Sequence, residues 1–90
     1  MIKVDSPGKL GAVLRGTRVA LNIPVLDLAE ATGTSHTLLR RQEEGKATKA
    51  IEVLFAALSE MGIEMHLQLP SSVDEASIDM TPGTRRRARP

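Results

Sequence analysis

The residues best suited to chemistry lie on one predicted helix, which begins at the capping side chain of Ser35 and runs to about Glu44. Successive residues of a helix turn by about 100°, so Leu38 and Leu39 point to one side together with Gln42. The polar side chains on the other side are His36, Thr37, Arg40, Arg41 and Glu44. Arg donates paired hydrogen bonds to guanine, and Thr bonds a base or offers its methyl to thymine. This face suits the major groove of DNA, and an ordinary solvated helix face is the alternative.

No other set of side chains predicts catalysis or metal binding. The chain has no Cys, and its two His residues, His36 and His66, lie thirty positions apart, which is not the clustering that a zinc site requires. It has no Ser, His and Asp spacing typical of a nucleophilic site, and no glycine-rich phosphate loop. The single aromatic residue, Phe55, cannot form a stacking platform for single-stranded nucleic acid. We therefore predict that the protein is not an enzyme and that it uses no cofactor and no metal.

The length and composition predict one small globular domain. The 90 residues include twelve Lys and Arg against eleven Asp and Glu, for a net charge of +1, and 41% are hydrophobic. No apolar run approaches the roughly 18 residues of a membrane span, and the first ten residues lack the apolar centre of a signal peptide. We expect a cytoplasmic protein.

Caps, glycines and prolines divide most of the chain into four predicted helices. The first helix begins with Ser6 as its cap, and the second is opened by Pro24 and ended by Gly33. Only residues 33–35 separate the second helix from the third, which is the spacing of a helix-turn-helix. The fourth begins at Thr48 and stops at Gly62. The stripe expected to face the core from this fourth helix is Ile51, Leu54, Phe55 and Leu58.

The segment 63–69 alternates apolar and polar residues, which predicts a half-buried strand ended by Pro70. Its apolar positions are Ile63, Met65, Leu67 and Leu69. A strand without a partner exposes unpaired backbone groups, and the other segments read as helix. We therefore expect these residues to dimerise the protein, by pairing with the same strand of a second copy. A weak pairing with residues 1–4 of the same chain is the alternative.

The residues after Pro70 are rich in Ser, Pro, Thr and Gly and predict a flexible tail. Acidic residues occupy its first half, and Arg85, Arg86, Arg87 and Arg89 occupy its second half. The predicted organisation is a helix-turn-helix domain over 6–62, a dimerising strand over 63–70 and a basic-ended tail over 71–90. The Arg cluster is either a solvated end or an arm that adds phosphate contacts and salt dependence to DNA binding.

Residues 9–62 resemble a Cro/cI-type helix-turn-helix domain of the XRE family. The matching features are Arg18, Leu28-Ala29, Gly33, Ser35, Glu43, Gly45-Lys46 and the helix end from Leu58 to Gly62. The ending MGIEMHLQL, with Ser6-Pro7 and Leu10, resembles more narrowly the HipB-type antitoxins. The resemblance implies a mostly helical domain of four to five helices, with one C-terminal β-strand that pairs across a homodimer.

The resemblance also implies roles for individual residues. Arg18 and Glu43 would form a partly buried ion pair between the first and third helices. The residues implied to contact DNA are Ser35, His36, Thr37 and Arg41 at the bases and Arg40 and Lys46 at phosphates. The chain departs from the family at Pro24 and Val25, where a capping Thr or Ser is usually followed by a phosphate-contacting Gln. It departs again at Gln42, where the usual residue is apolar.

These expectations converge on a dimeric transcriptional repressor that reads a palindromic operator in double-stranded DNA. The HipB-like ending implies an antitoxin that represses its own operon and binds a HipA-type serine/threonine kinase toxin. One alternative is a stand-alone XRE-type regulator without a toxin. The other is a protein-interaction antitoxin or adaptor with weak or no DNA binding, which the missing Gln at position 25 favours.

Overall fold

The computed structural model describes residues 1–80, and these form four helices and a two-stranded sheet. The elements in chain order are β1 (Ile2–Val4), α1 (Pro7–Ala20), α2 (Val25–Thr32), α3 (His36–Glu43), α4 (Lys49–Glu60) and β2 (Met65–Leu67). A single 3-10 turn follows over Glu75–Ser77. The prediction of a mostly helical domain with four helices is therefore confirmed. No helix within residues 1–80 is long and apolar enough to cross a membrane.

The helices begin and end largely where the local chemistry predicts. Ser6 Oγ accepts a hydrogen bond from the backbone N–H of Lys9 at 3.1 Å and so caps α1. Thr48 Oγ1 accepts from the backbone N–H of Ile51 at 3.4 Å and caps α4. Asn22 follows α1 with a φ of 59°, in the left-handed region that a short polar side chain tolerates.

The strand β2 pairs within its own chain. It runs antiparallel to β1, with Ile2 opposite Leu67, Lys3 opposite His66 and Val4 opposite Met65. The premise that β2 lacks an intrachain partner was therefore wrong, and the alternative pairing with residues 1–4 is the one present. The strand is also shorter than the alternation predicts, because it covers 65–67 rather than 63–69.

The apolar side chains of the β2 segment contribute to the core of their own domain. Val4, Val13 and Phe55 form the buried cluster, with Met65, Leu67 and Leu69 packed against it. Ile63 is the exception, since half of its surface is exposed. The alternation correctly separated an inner from an outer face, and three of the four residues predicted to dimerise the protein pack against this cluster of their own chain.

Residues 71–80 are folded against α1, which corrects the prediction of a flexible tail for this half of the segment. Val73 and Ile78 are both buried. Ile78 packs on Gly16, where an added Cβ would lie 2.8 Å from its Cδ1. The few apolar residues of this segment are enough to pack it on the domain, because Gly16 of α1 leaves room for the side chain of Ile78. The second half, 81–90 with its four Arg residues, lies outside the described residues.

Helix α4 buries less of its apolar surface than its sequence predicts. Phe55 is buried and Leu58 is half-buried. Ile51 and Leu54, which were expected to face the core, are both exposed. The inward stripe prediction was therefore wrong for these two residues, and much of α4 faces away from the domain.

Candidate nucleic-acid interface

Helices α2 and α3 form a helix-turn-helix across residues 33–35. Gly33 ends α2 with a φ of 73°, a left-handed conformation that glycine adopts without steric cost. The backbone N–H of Thr34 returns to the carbonyl of Ala29 at 2.9 Å. Ser35 Oγ then accepts a hydrogen bond from the backbone N–H of Leu38 at 3.1 Å, so its hydroxyl caps α3. The turn therefore fixes where α3 begins.

An ion pair joins α3 to α1, as the resemblance implied. Arg18 Nε lies 2.6 Å from Glu43 Oε2, and Arg18 Nη2 lies 3.0 Å from Glu43 Oε1. Only 4% of the Glu43 side chain and 14% of the Arg18 side chain are exposed. The hydrogen bonds that Arg18 donates to Glu43 raise the pKa of Arg18 above its usual value. The two-point contact fixes the orientation of both side chains as well as their separation.

The same guanidinium also fixes the loop between α1 and α2. Arg18 Nη1 donates to the backbone carbonyl of Ile23 at 2.9 Å. One side chain on α1 therefore positions both the end of α3 and the segment that leads into α2. The contact with Ile23 was not predicted, because no sequence pattern identifies a backbone carbonyl as the third acceptor.

A close backbone approach holds α1 against the end of α3. Gly11 is buried, and a Cβ at this position would overlap the carbonyl oxygen of Gln42 and lie 2.7 Å from that of Glu43. Such distances are incompatible with any side chain unless the backbone moves. Sequence reasoning missed Gly11, since a glycine inside a predicted helix does not reveal which backbone it meets.

The exposed side of α3 is centred on Thr37 and Arg41. Leu39 and Glu43 are the buried residues of this helix. Arg41 lies two residues from each of them, about 200° around the helix, and it is exposed at the border of an open groove that residues of α1 and α4 also line. Thr37 lies one turn before Arg41 on the same side. Between them these two side chains offer a guanidinium, a hydroxyl and a methyl group, which are groups that read base edges in the major groove.

The remaining predicted DNA contacts surround this centre. His36 and Arg40 are exposed on the flank of α3, and Lys46 is exposed just beyond its end. Lys46 Nζ lies 3.3 Å from Glu44 Oε1, in a solvated pair that contributes little to stability. Within residues 1–80, Arg40 and Arg41 make no ion pair with an acidic side chain. All six predicted residues therefore lie on α3 or within three residues of its ends.

Two residues of α3 depart from the helical projection. Leu38 and Gln42 were expected to point inward with Leu39, but both are exposed. They line an open groove of about 390 Å³ that is also bordered by Leu10 and Leu14 of α1 and by Ile51 of α4. The exposure of Gln42 means that its amide is accessible to water, so this unusual polar residue carries no burial cost.

The start of α2 lacks the side-chain cap that the family usually has. Pro24 occupies the cap position, and no side chain accepts from the first backbone N–H groups of this helix. Asp27 lies in the first turn, where the helix dipole favours a negative charge. The free N–H groups here can bind phosphate directly, but the contact from a Gln side chain is absent.

No family model matches the chain, and searches of curated proteins and of solved structures found no match.

Proposed function

We propose that this protein is a sequence-specific DNA-binding transcriptional repressor that acts as a homodimer on a palindromic operator. The observation that carries this proposal is the position of α3. The Arg18–Glu43 ion pair and the Gly11 contact hold the inner side of this helix, while Thr37 and Arg41 face outward. A rigidly held helix with an exposed arginine is what reading base edges in the major groove requires.

The contacts divide into two kinds. Thr37, Arg41 and His36 would read bases, whereas Arg40 and Lys46 would bind phosphates and set the orientation of the domain. Ser35 holds its hydroxyl on the backbone of α3, which leaves the hydroxyl proton available to a phosphate or a base. In a dimer, two such helices would enter successive major grooves about 34 Å apart, or a multiple of that distance.

The finer proposal is that the protein is the antitoxin of a HipBA-like operon and binds a HipA-type kinase toxin. It is supported by the residues that resemble the HipB-type ending and by Ser6-Pro7, which starts α1 as expected. Residues 81–90, with four Arg, would supply either phosphate contacts or a docking segment. Finding a kinase gene next to the gene for this chain, and co-purifying the two products, is the test of this partner.

A second candidate is a protein-interaction antitoxin or adaptor that binds DNA weakly or not at all. The specific observation that favours it is the start of α2, where Pro24 replaces a capping side chain and Val25 replaces the usual Gln. One phosphate contact fewer lowers the affinity for every sequence without changing base discrimination. The two candidates therefore differ in the absolute affinity for the operator, since an adaptor of this kind would bind every duplex weakly or not at all.

The test of DNA recognition is a titration of the full chain with the duplex that precedes its own gene, against a scrambled duplex of equal length. We expect Arg41→Ala to weaken binding to the specific duplex by about 1–3 kcal/mol and to reduce discrimination. Arg15→Ala is the matched control, because Arg15 is exposed on α1 and takes no part in the proposed face. Equal affinity of the native chain for both duplexes would overturn sequence-specific binding.

The same titration at two salt concentrations tests the Arg-rich end. Removing 81–90 should flatten the dependence of log K on log salt if these residues contact phosphates, because each phosphate contact contributes about 0.9 to the slope. An unchanged slope would remove the segment from the DNA contact and leave α3 as the site.

A further inference from the structure

Helix α4 carries an apolar stripe on the side that faces away from the core. Its members are Ala50, Val53, Leu54, Ala57 and Met61. They follow the spacing of one helix face. Val53, Leu54 and Met61 are 53%, 49% and 66% exposed. Phe55, which anchors α4 to the core, lies on another side of the helix.

Nothing within residues 1–80 covers this stripe. Isolated exposed apolar residues are ordinary on a protein surface, but a contiguous row of them marks an interface. The row spans about 16 Å along the helix, since each residue rises about 1.5 Å.

Residues 81–90 do not suit this surface. Their sequence, TPGTRRRARP, has four Arg and a single Ala as its only aliphatic side chain apart from proline. Such a segment cannot replace the water on a row of valine, leucine and methionine side chains. We therefore expect the stripe to be buried by a partner that has an apolar face of its own.

A second copy of this chain fits the stripe through the sizes of its side chains. If two α4 helices pack antiparallel around a two-fold axis near position 55, the small Ala50 lies opposite Met61 of the partner subunit. Val53 likewise lies opposite Ala57 of the partner subunit. Large side chains thus meet small ones along the row, which is how helices approach closely without voids.

The charges beside the stripe fit the same arrangement. Lys49 and Glu60 stand at opposite ends of α4 but on the same flank of the helix, since eleven residues make close to three turns. In the antiparallel pair each Lys49 faces Glu60 of the partner subunit, and the two-fold axis generates this contact twice. Within residues 1–80 neither side chain has an ion-pair partner. A parallel arrangement would make neither contact, because Lys49 and Glu60 of the partner subunit would then lie at opposite ends of the helix pair.

We infer that the exposed stripe of α4 is the homodimer interface, formed by two antiparallel copies of this helix. The inference rests on the dimer of the proposed function and gives that dimer an interface on α4 in addition to the predicted strand. It is tested without DNA, so its failure and the failure of DNA recognition are separate results.

The first experiment is sedimentation of the full chain with and without Leu54→Lys. Leu54 lies next to the proposed two-fold axis, so this change brings two like charges together on a desolvated surface. We expect the dimer to weaken by at least about tenfold. Leu26→Lys is the matched control, because Leu26 is 61% exposed on α2 and lies off the stripe. A monomeric native chain, or a dimer that tolerates Leu54→Lys, would overturn the inference.

Charge reversal tests the antiparallel direction. Lys49→Glu and Glu60→Lys should each weaken self-association by about two- to fivefold, the range expected of exposed ion pairs. A mixture of the two variants should recover it, since the mixed dimer restores both opposite-charge contacts. Equal weakening in the mixture would exclude this alignment.

Cross-linking covers the case in which a charged variant fails to fold. The chain has no Cys, so a single Leu54→Cys change introduces the only thiol. Two such thiols near the two-fold axis should form an intersubunit disulfide under mild oxidation, whereas Leu26→Cys should remain monomeric under denaturing electrophoresis. Cross-linking through Leu67→Cys but not through Leu54→Cys would place the interface at the strand instead.

Discussion

Helices α3 and α4 invert the usual relation between polarity and burial. The sequence of α3, HTLLRRQE, is strongly polar, yet this helix is fixed to α1 through a buried glutamate and a backbone contact. The sequence of α4, KAIEVLFAALSE, is largely apolar, yet Phe55 is its one buried residue. The difference teaches that apolar content alone does not identify the helix most firmly held. A charged pair with complementary geometry fixes the orientation of a helix. An apolar face that packs against no other element does not contribute to holding its helix in place.

The largest effect should come from breaking the ion pair that holds α3. Glu43→Ala leaves the Arg18 guanidinium mostly buried without its carboxylate, and we expect a loss of about 3–5 kcal/mol in the free energy of unfolding. Urea denaturation followed by circular dichroism measures this loss. The control is Glu44→Ala, because Glu44 is the exposed neighbour with only a solvated pair. Similar losses in both variants would show that Glu43 does not hold α3 in place.

Disrupting the backbone contact between α1 and α3 should give the second-largest loss in the free energy of unfolding. Gly11→Ala introduces a methyl group that would overlap the backbone carbonyl groups of Gln42 and Glu43. The shift of α3 needed to relieve this overlap should lower the free energy of unfolding by about 1–3 kcal/mol. Gly16→Ala is the comparison, since there the new methyl meets the movable side chain of Ile78 rather than backbone. We expect it to be better tolerated in the same urea experiment, and the reverse order would contradict the close approach.

The smallest effect should be found on the exposed stripe of α4. Val53→Ser removes apolar surface that the single domain does not bury, so the free energy of unfolding should change by less than about 0.5 kcal/mol. The measurement must be made at a concentration low enough for the protein to be monomeric, because binding to a second copy would add its own stabilisation. A larger loss under these conditions would mean that the stripe belongs to the core of one domain.

Much of the fold could be predicted because it depends on local chemistry. Ser6, Ser35 and Thr48 cap helices in any surroundings, and Gly33 ends α2 for reasons that its neighbours do not change. The outer face of α3 was found from spacing, but its inner edge was not. Glu43 is buried because it pairs with Arg18 of α1, and Leu38 is exposed because it lines an open groove that α1 and α4 also border. Periodicity within α3 shows neither of these surroundings.

The wrong predictions share a physical cause. A hydrophobic pattern shows that a segment has an apolar face, but it does not show which other segment packs against that face. The alternation over 63–69 identified a strand with an apolar face, but whether β1 or a second copy pairs with it depends on where the first residues lie. Val73 and Ile78 looked too few to fold their segment, and the space beside Gly16 that accepts Ile78 is invisible in the sequence. The Arg18–Glu43 pair was expected from the resemblance, since two charges 25 residues apart give no spacing signal of their own.

The packing of residues 71–80 onto α1 sets a limit on the arginines beyond them. Met80 packs against the cluster of Val4, Val13 and Phe55, so the last ten residues are tethered at a fixed point on the domain. A fully extended chain spans at most about 3.3–3.6 Å per residue, which gives those arginines a radius of about 35 Å. If the chain left the domain at Pro70, that radius would be about twice as large. Any surface that the arginines contact must therefore lie within the extended length of the segment that follows Met80.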